Sequence, residues 1–338
     1  MADPLVVIDA DVLGRRRTGD ETYVDGLLHA LPAVGEGLRF AAITRRPDLV
    51  PPGIEPVELR GRVQELRRAV RLPLLLRRLR PALVHFVHAL PPGLPSPAVL
   101  TVQDLSFERD ATLMGRRETA IFRAVVPWSA RRARRVLAIS QRTKDDLVEL
   151  YGLPPEKIAV TPLAYDPAFQ VADSHKVSDG FLLLVGAIEA RKNPLAAAAA
   201  AEAVGLPLVS VGPERDAALA AELRRRGVDV RGFVAKGELV ELYRTAACLV
   251  FPTRYEGFGL PVAEAMASGT PVVATPDAAV KEVGGDAIVY ARPEDFADAI
   301  RSTLAERDRW VRAGLERARL FSWEETARKT VEVYREAL

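Results

Sequence analysis

The sequence predicts an α/β chain of two doubly wound, parallel-sheet domains, on three observations. Apolar strand-like runs alternate with helical stretches along the whole length. Most of the runs are continuously apolar rather than alternating. At 338 residues the chain also exceeds what most single cores hold. A strand covered by helices on both faces has no polar side to show, so continuous runs argue for parallel sheets. In order the runs are Leu5–Ala10, Phe40–Thr44, Leu83–Val87, Val99–Gln103, Val136–Ser140 and Ile158–Thr161, then Phe181–Gly186, Leu208–Val211, Leu249–Phe251 and Pro271–Ala274. Between the two sets lies QVADSHKVSDG, Gln170–Gly180, polar and poor in large apolar residues; it reads as a linker between domains 1–169 and 181–320. Residues 321–338 read as a terminal helix returning to the N-terminal domain, with Ser322 as its cap and Glu325 three residues on, a capping-box pattern. Ligands of such sheets bind at the carboxyl ends of the strands, and two halves facing each other would form a cleft.

Bulk properties exclude several classes. The chain is 49% hydrophobic and 27% charged, with net charge +2, so no global basic field calls for nucleic acid. Cys248 is the only cysteine; it forbids an intrachain disulfide and reads as a core residue in a reducing, cytoplasmic setting. One cysteine and four scattered histidines (His29, His85, His88, His175) make no structural zinc site. The opening LVVIDA shows no basic-then-apolar leader, and no apolar run reaches the ~18 residues a membrane span needs.

The most informative stretch is VFPTRYEGFGLPVAEAMASGTPVVAT, Val250–Thr275. It reads as strand, glycine loop, helix over Val262–Ser268 closed by Gly269, and strand. Gly257-Phe258-Gly259 brings bare backbone amides to a helix N-terminus opened by Leu260-Pro261, a place that favours phosphate. Glu256 lies in the loop and Glu264 in the helix, seven residues between them, spaced to touch two parts of one ligand. A second constellation, GAIEARKNP, follows the strand FLLLVG. Asn193 suits an N-cap and Pro194 the first helical position, which sets Gly186, Arg191 and Lys192 at a strand end beside a helix N-terminus, where a diphosphate is neutralised. The alternative for these two cations is a solvated charged loop.

GAIEARKNP, VGPE at Val211–Glu214, RGFVAKGELVELYRTA and FPTRYEGFGLPVAEAMASGTPVV together resemble the C-terminal half of the family 4 glycosyltransferases, retaining enzymes of the GT-B fold. FSWEETA, YGLPPEKIAVTPLAYDPAF and, more loosely, VVIDADVLGRRRTGDETYV extend the resemblance over almost the whole chain, most strongly in 181–290. The resemblance implies a hexosyltransferase using a nucleotide diphosphate sugar, with mannose from GDP-mannose as the first expectation and glucose from UDP-glucose the next. Residue by residue it places Glu256 at the donor sugar and Glu264 on the ribose hydroxyls. It places the amides of Gly257, Phe258 and Gly259, with Leu260 and Gly186, around sugar and diphosphate. Arg191 and Lys192 would meet the charge on the leaving group, and no metal is expected. The acceptor, a glycan, a lipid-linked molecule or a small molecule, falls to the first half.

There the chain departs from the family pattern. Where Gly-Ile-Gly-x-Tyr is common it has Gly19-Asp20-Glu21-Thr22-Tyr23, so the glycine and Tyr23 alone fit an acceptor-side loop; the competing reading is a solvent loop before a helix capped by Asp20. Where the family carries His-Asp at a strand end it has Gln103-Asp104. Glutamine orients a sugar hydroxyl but takes up no proton near neutral pH. His85 and His88 lie near in sequence, and either is a packed or solvent histidine unless His88 reaches the cleft. RGRVQELRRAVRLPLLLRRLR, Arg60–Arg80, is basic and leucine-rich with Pro73 breaking its helix; it is either a domain helix with solvated arginines or a peripheral contact with the inner face of a membrane. Two other functions fit the architecture: a nucleotide-sugar epimerase, and a non-catalytic nucleotide-sugar-binding partner subunit, which Gln103 keeps open.

Overall fold

The computed structural model describes residues 3–15, 18–61, 67–110, 116–171 and 180–338. The chain divides into two compact units, Met1–Ala164 with Ser322–Leu338, and Tyr165–Phe321. Of the polar segment read as a linker, residues 172–179 lie outside the described residues; the division falls earlier, between Ala164 and Tyr165.

The first unit holds a parallel sheet of β1 (Leu5–Asp9), β2 (Arg39–Thr44), β3 (Glu55–Glu58), β4 (Leu83–Val87), β5 (Ala98–Val102), β6 (Arg135–Ala138) and β7 (Ile158–Val160). Their order is β3-β2-β1-β4-β5-β6-β7, so the winding reverses between β1 and β4. The second unit holds β8 (Leu182–Val185), β9 (Leu208–Val211), β10 (Asp229–Gly232), β11 (Cys248–Phe251), β12 (Val272–Ala274) and β13 (Val289–Tyr290), also parallel, in the order β10-β9-β8-β11-β12-β13, reversing between β8 and β11. β2 and β3 are joined by a 3-10 turn and β4 and β5 by a loop; α-helices lie between most other successive strands and after β13. They are α1 (Thr18–Val34), α2 (Leu72–Leu79), α3 (Ser106–Arg109), α4 (Arg116–Arg132) and α5 (Gln141–Tyr151), then α6 (Pro194–Val204), α7 (Ala217–Arg225), α8 (Lys236–Thr245), α9 (Leu260–Ala267), α10 (Ala278–Gly284), α11 (Phe296–Ala305), α12 (Arg307–Ala318) and α13 (Trp323–Ala337).

Three strands escape the apolar-run reading: β3 (EPVE), β10 (DVRG) and β13 (VY). Each is an edge strand, exposed in part in β3 and β10 and half-buried in β13, so its sequence never had to be continuously apolar. The inner strands are buried at nearly every position, and Val7, Ile43, Val84, Leu100 and Val136 form one core. Strand ends also shift by a residue. β5 stops at Val102 and β8 at Val185, which leaves Gln103 and Gly186 just beyond the carboxyl ends of the sheets.

Helix α13 belongs to the first unit and packs along α1. Ser322 accepts from the amide of Glu325 at 3.2 Å, while the Glu325 carboxylate is held by Arg328. A buried polar string crosses the unit. Tyr334 Oη stands 2.6 Å from His85 Nδ1, His85 Nε2 lies 2.7 Å from Thr101 Oγ1, and that hydroxyl lies 2.8 Å from Tyr23 Oη. Burial drives the His85 pKa down to about 3, so the ring is neutral and serves as a structural linker. At Gly26 a Cβ would stand 2.2 Å from the Trp323 ring, so α1 and α13 meet only because that position has no side chain. Gly26→Ala is expected to destabilise the unit by about 1–3 kcal/mol through overpacking, read as a lowered midpoint of urea unfolding; an unchanged midpoint would show that Trp323 is free to move aside.

Candidate functional site

In the second unit the two loops that follow β8 and β11, the neighbouring strands at the reversal, carry the chemistry. Gly186 leaves β8 at φ 143°, and its carbonyl passes so close to Gly212 that a Cβ there would stand 2.1 Å from the oxygen. The chain then makes a single 3-10 turn at Ala190–Lys192 and enters α6 at Pro194. Asn193 occupies the cap position in left-handed backbone (φ 51°) and makes no side-chain cap hydrogen bond; the expected Asx cap is replaced by a backbone turn, with Pro194 needing no donor of its own. After β11, residues 252–259 lead to α9, which starts at Leu260, two residues earlier than its apolar period shows. Gly259 opens it at φ 105°, a conformation only glycine takes without strain. The amides of Gly257 and Phe258 precede it, and the Phe258 ring is buried edge-on against Phe321.

The loops are stitched together by charge. Lys192 Nζ lies 2.5 Å from Glu256 Oε1, and Arg191 Nη1 stands 3.5 Å from Glu256 Oε2 while donating to the Tyr255 carbonyl at 2.6 Å. Arg191 Nη2 binds Glu189 at 2.7 Å, and Glu189 also meets Arg215 at 3.2 Å. Thr253 Oγ1 donates to Glu256 Oε1 at 2.7 Å, and the Arg254 amide donates to the Arg191 carbonyl at 2.9 Å. Lys192 also lies over the Phe251 ring at 5.3 Å. Glu256 is 6% exposed. Burial pushes its carboxyl up, but the attraction of Lys192 and Arg191, with the hydrogen bonds of Lys192 and Thr253, outweighs it and holds the pKa below the ordinary value. Arg191 and Lys192 are thus not a solvated loop. They form the cationic half of a buried cluster whose anionic half is Glu256 and Glu189.

Glu264, one turn into α9, accepts from Tyr243 Oη of α8 at 2.8 Å. Burial raises its pKa to about 7, with the hydrogen bond from Tyr243 opposing and Asp166 adding. The two glutamates of the motif are therefore in different states. Glu256 is ionised and compensated; Glu264 is poised to exchange a proton near neutrality.

The residues expected on the acceptor side lie at the carboxyl ends of β1, β4 and β5 in the first unit, and three of them are not loop residues. Gly19 and Asp20 stand in the first turn of α1, and Asp20 meets His88 Nε2 at 3.1 Å rather than capping the helix. Tyr23 is fully buried on Thr101, a core residue. Asp104 accepts from the Ser106 amide at 2.9 Å and so closes the turn into α3. Gln103 is 7% exposed; its Oε1 would meet a Cβ at Gly19 at 3.3 Å, and its Nε2 has no hydrogen-bond partner among the described residues. Of the basic stretch 60–80, residues 62–66 lie outside the described residues, and Pro73 sits in the first turn of α2. Arg67 is buried in an ion pair with Asp11, which departs from the picture of arginines in solvent. Cys248 is a buried free thiol. No set of three or more acidic, histidine or cysteine side chains that could hold a metal occurs among the described residues. Also among them, no helix is long and apolar enough to cross a membrane.

Sequence reasoning missed Glu189, Thr253 and Tyr243. Glu189 had a cue, an acid two residues before Arg191 inside GAIEARKNP. Thr253 and Tyr243 had none, because their partners are chosen by packing.

Residues 18–169 match the family described as Glycosyltransferase Family 4, and residues 174–306 match the domain described as Glycosyl transferases group 1. The chain is 31% identical over 233 residues to O-antigen chain mannosyltransferase B of Escherichia coli, covering 60% of this chain and 61% of that one. It is 30% identical over 280 residues to D-inositol 3-phosphate glycosyltransferase 1 of Catenulispora acidiphila, covering 72% and 67%. Against the first of the curated relatives the matched region spans from 31% to 61% of their length. The structure superposes on sucrose-phosphate synthase of Thermosynechococcus elongatus with a TM-score of 0.79 at 20% identity, over 99% of this chain and 98% of that one, a likeness of fold.

Proposed function

The chain belongs to the family 4 glycosyltransferases, and from that premise we propose that it moves a hexose from a nucleotide diphosphate sugar to an acceptor hydroxyl with retention at the anomeric carbon. The observation that supports this best is the Lys192–Glu256 pair, flanked by Arg191 and seated before the α9 N-terminus. In this reading Arg191 and Lys192 take the charge that builds on the leaving diphosphate, with the Gly257–Gly259 amides adding to it, and no metal is invoked. Glu264 accepts from the ribose hydroxyls, and Glu256 faces the sugar while holding Lys192 in place. Bond making and breaking occur on one face of the sugar. The acceptor oxygen bonds to C1, the C1–O bond to the diphosphate breaks, and the acceptor proton passes to the departing phosphate oxygen. Gln103 orients a sugar hydroxyl through its amide. Mannose from a guanosine diphosphate donor is the first candidate, in keeping with the mannosyltransferase relative. The exposed Val70 and Leu74, with the exposed Arg71, Arg77 and Arg78 around them, form the surface that would touch a lipid headgroup layer.

Two measurements test the reading. A panel of nucleoside diphosphates is expected to raise the thermal midpoint for one base only, since a ligand at 100 times its Kd adds about 2.7 kcal/mol of stability. Product formed from that donor is expected to keep the donor's anomeric configuration by NMR. An inverted product overturns the same-face mechanism, and binding with no turnover for any acceptor favours the non-catalytic partner.

A further inference from the structure

At the carboxyl ends of β1 and β2 a single carboxylate holds three guanidiniums. Asp11 Oδ2 accepts from Arg67 Nη2 at 2.8 Å and from Arg15 Nη2, and Asp11 Oδ1 accepts from Arg45 Nε at 2.9 Å. The Arg67 side chain is 2% exposed, and its other Nη donates to the Gly61 carbonyl at 3.0 Å. Three cations thus crowd one shared anion in a partly buried place, with the Asp9 carboxylate set against the Asp11 amide at 3.2 Å. The Arg15 pKa reflects it. Burial pulls it below the ordinary value, Asp11 opposes, and the repulsion of Arg45 and Arg67 adds to the fall.

Pinning two loops to Asp11 needs one of these arginines, or two; a third only adds repulsion unless something else answers the charge. Donors also remain. The Nε groups of Arg15 and Arg67 are buried and have no partner among the described residues, a costly condition for a charged N–H. Arg45 meets Asp11 through Nε alone, which leaves both its Nη groups without a partner among the described residues. The cluster lies beside the reversal of strand order between β1 and β4, where a sheet of this kind takes its ligands, and the Gly14 amide ties its loop to Glu21 in α1 at 2.6 Å.

We infer that Arg15, Arg45 and Arg67, arrayed on Asp11, bind a phosphomonoester dianion. The site follows from these residues alone; that the phosphate belongs to the acceptor rests on the transferase reading. A guanidinium fork matches phosphate oxygens two at a time, and three guanidiniums gathered on one carboxylate suit a doubly charged phosphoryl group. The phosphoryl group comes either from a soluble sugar phosphate or from a lipid headgroup.

The test is a calorimetric titration with inorganic phosphate, in a chain carrying Arg191→Gln and Lys192→Gln so that the cations of the other unit do not contribute. Adding Arg45→Gln or Arg15→Gln is expected to weaken phosphate binding by about tenfold each. A second readout avoids that background: Asp11→Asn is expected to lower the thermal midpoint, and phosphate to restore more of it than it adds to the unaltered chain. Phosphate affinity unchanged by both arginine substitutions overturns the site. Competition by hexose 6-phosphate but not by neutral hexose identifies a soluble phosphate, and competition by phosphatidic acid vesicles but not phosphatidylcholine vesicles identifies a lipid one. Competition by neither overturns the assignment to the acceptor. If the unaltered chain binds no nucleotide, the transferase reading fails while the phosphate result stands, so the two failures are told apart.

Discussion

Glu256→Gln is expected to cut donor turnover by about 10²-fold or more, the size of effect seen when one preorganised charge-stabilising group is removed. The reason is in the pair. Glu256 compensates Lys192 at 2.5 Å and Arg191 at 3.5 Å, so its loss frees two buried cations to rearrange away from the position they must hold for a leaving diphosphate. Glu256→Ala should also cost about 3–5 kcal/mol of stability, because an uncompensated buried charge is left behind. The pH dependence has a definite sign. The folded-state pKa of Glu256 is depressed, so the stability it contributes is present above the ordinary carboxylate range and is lost as pH falls through the depressed value. Initial rates with the preferred donor and urea unfolding at two pH values check both statements. Turnover within threefold of the unaltered chain would remove Glu256 from the chemistry.

Nucleotide binding is expected to tighten by about tenfold between pH 6 and pH 8, and Glu264→Gln to abolish that dependence. Ribose hydroxyls donate, and a carboxylate accepts from them best when ionised. With its pKa raised to about 7, Glu264 gains its charge across that interval. The same shift acts on stability with the opposite trend. The folded protein keeps this proton to about pH 7, while the unfolded chain releases it near 4.3. The contribution is therefore complete below the unfolded pKa and is lost as pH rises through 7, about 4 kcal/mol in all. A Kd that stays flat over the interval would remove Glu264 from the ribose.

The strand–loop–helix around Glu256 and Glu264 was legible because it is local. A buried strand, a glycine needed at φ 105° and a proline at the helix start all leave their mark within a dozen residues. The Lys192–Glu256 pair was not, since its members lie 64 residues apart and meet only because β8 and β11 are neighbours in the sheet. Tyr23 shows the reverse error. A family-like tyrosine beside a glycine read as a loop residue, and the second turn of α1 folds it into the core. Arg67 sat in a basic stretch with the look of a solvated face; its burial depends on Asp11, 56 residues away. The edge strands β3, β10 and β13 went unread for a related reason, because exposure along one margin relaxes the demand for apolar residues.

The placement of α13 bears on how the protein is made. Residues 165–321 are a continuous stretch, whereas the first unit needs Ser322–Leu338 to finish. On the ribosome the later-encoded unit can therefore complete itself before the earlier one does. Until α13 emerges, His85 lacks the Tyr334 hydroxyl and α1 lacks the Trp323 ring that rests on Gly26. The usual order of N-terminal domain first therefore cannot run to completion here, because the α1 face waits for α13, the last helix to be made.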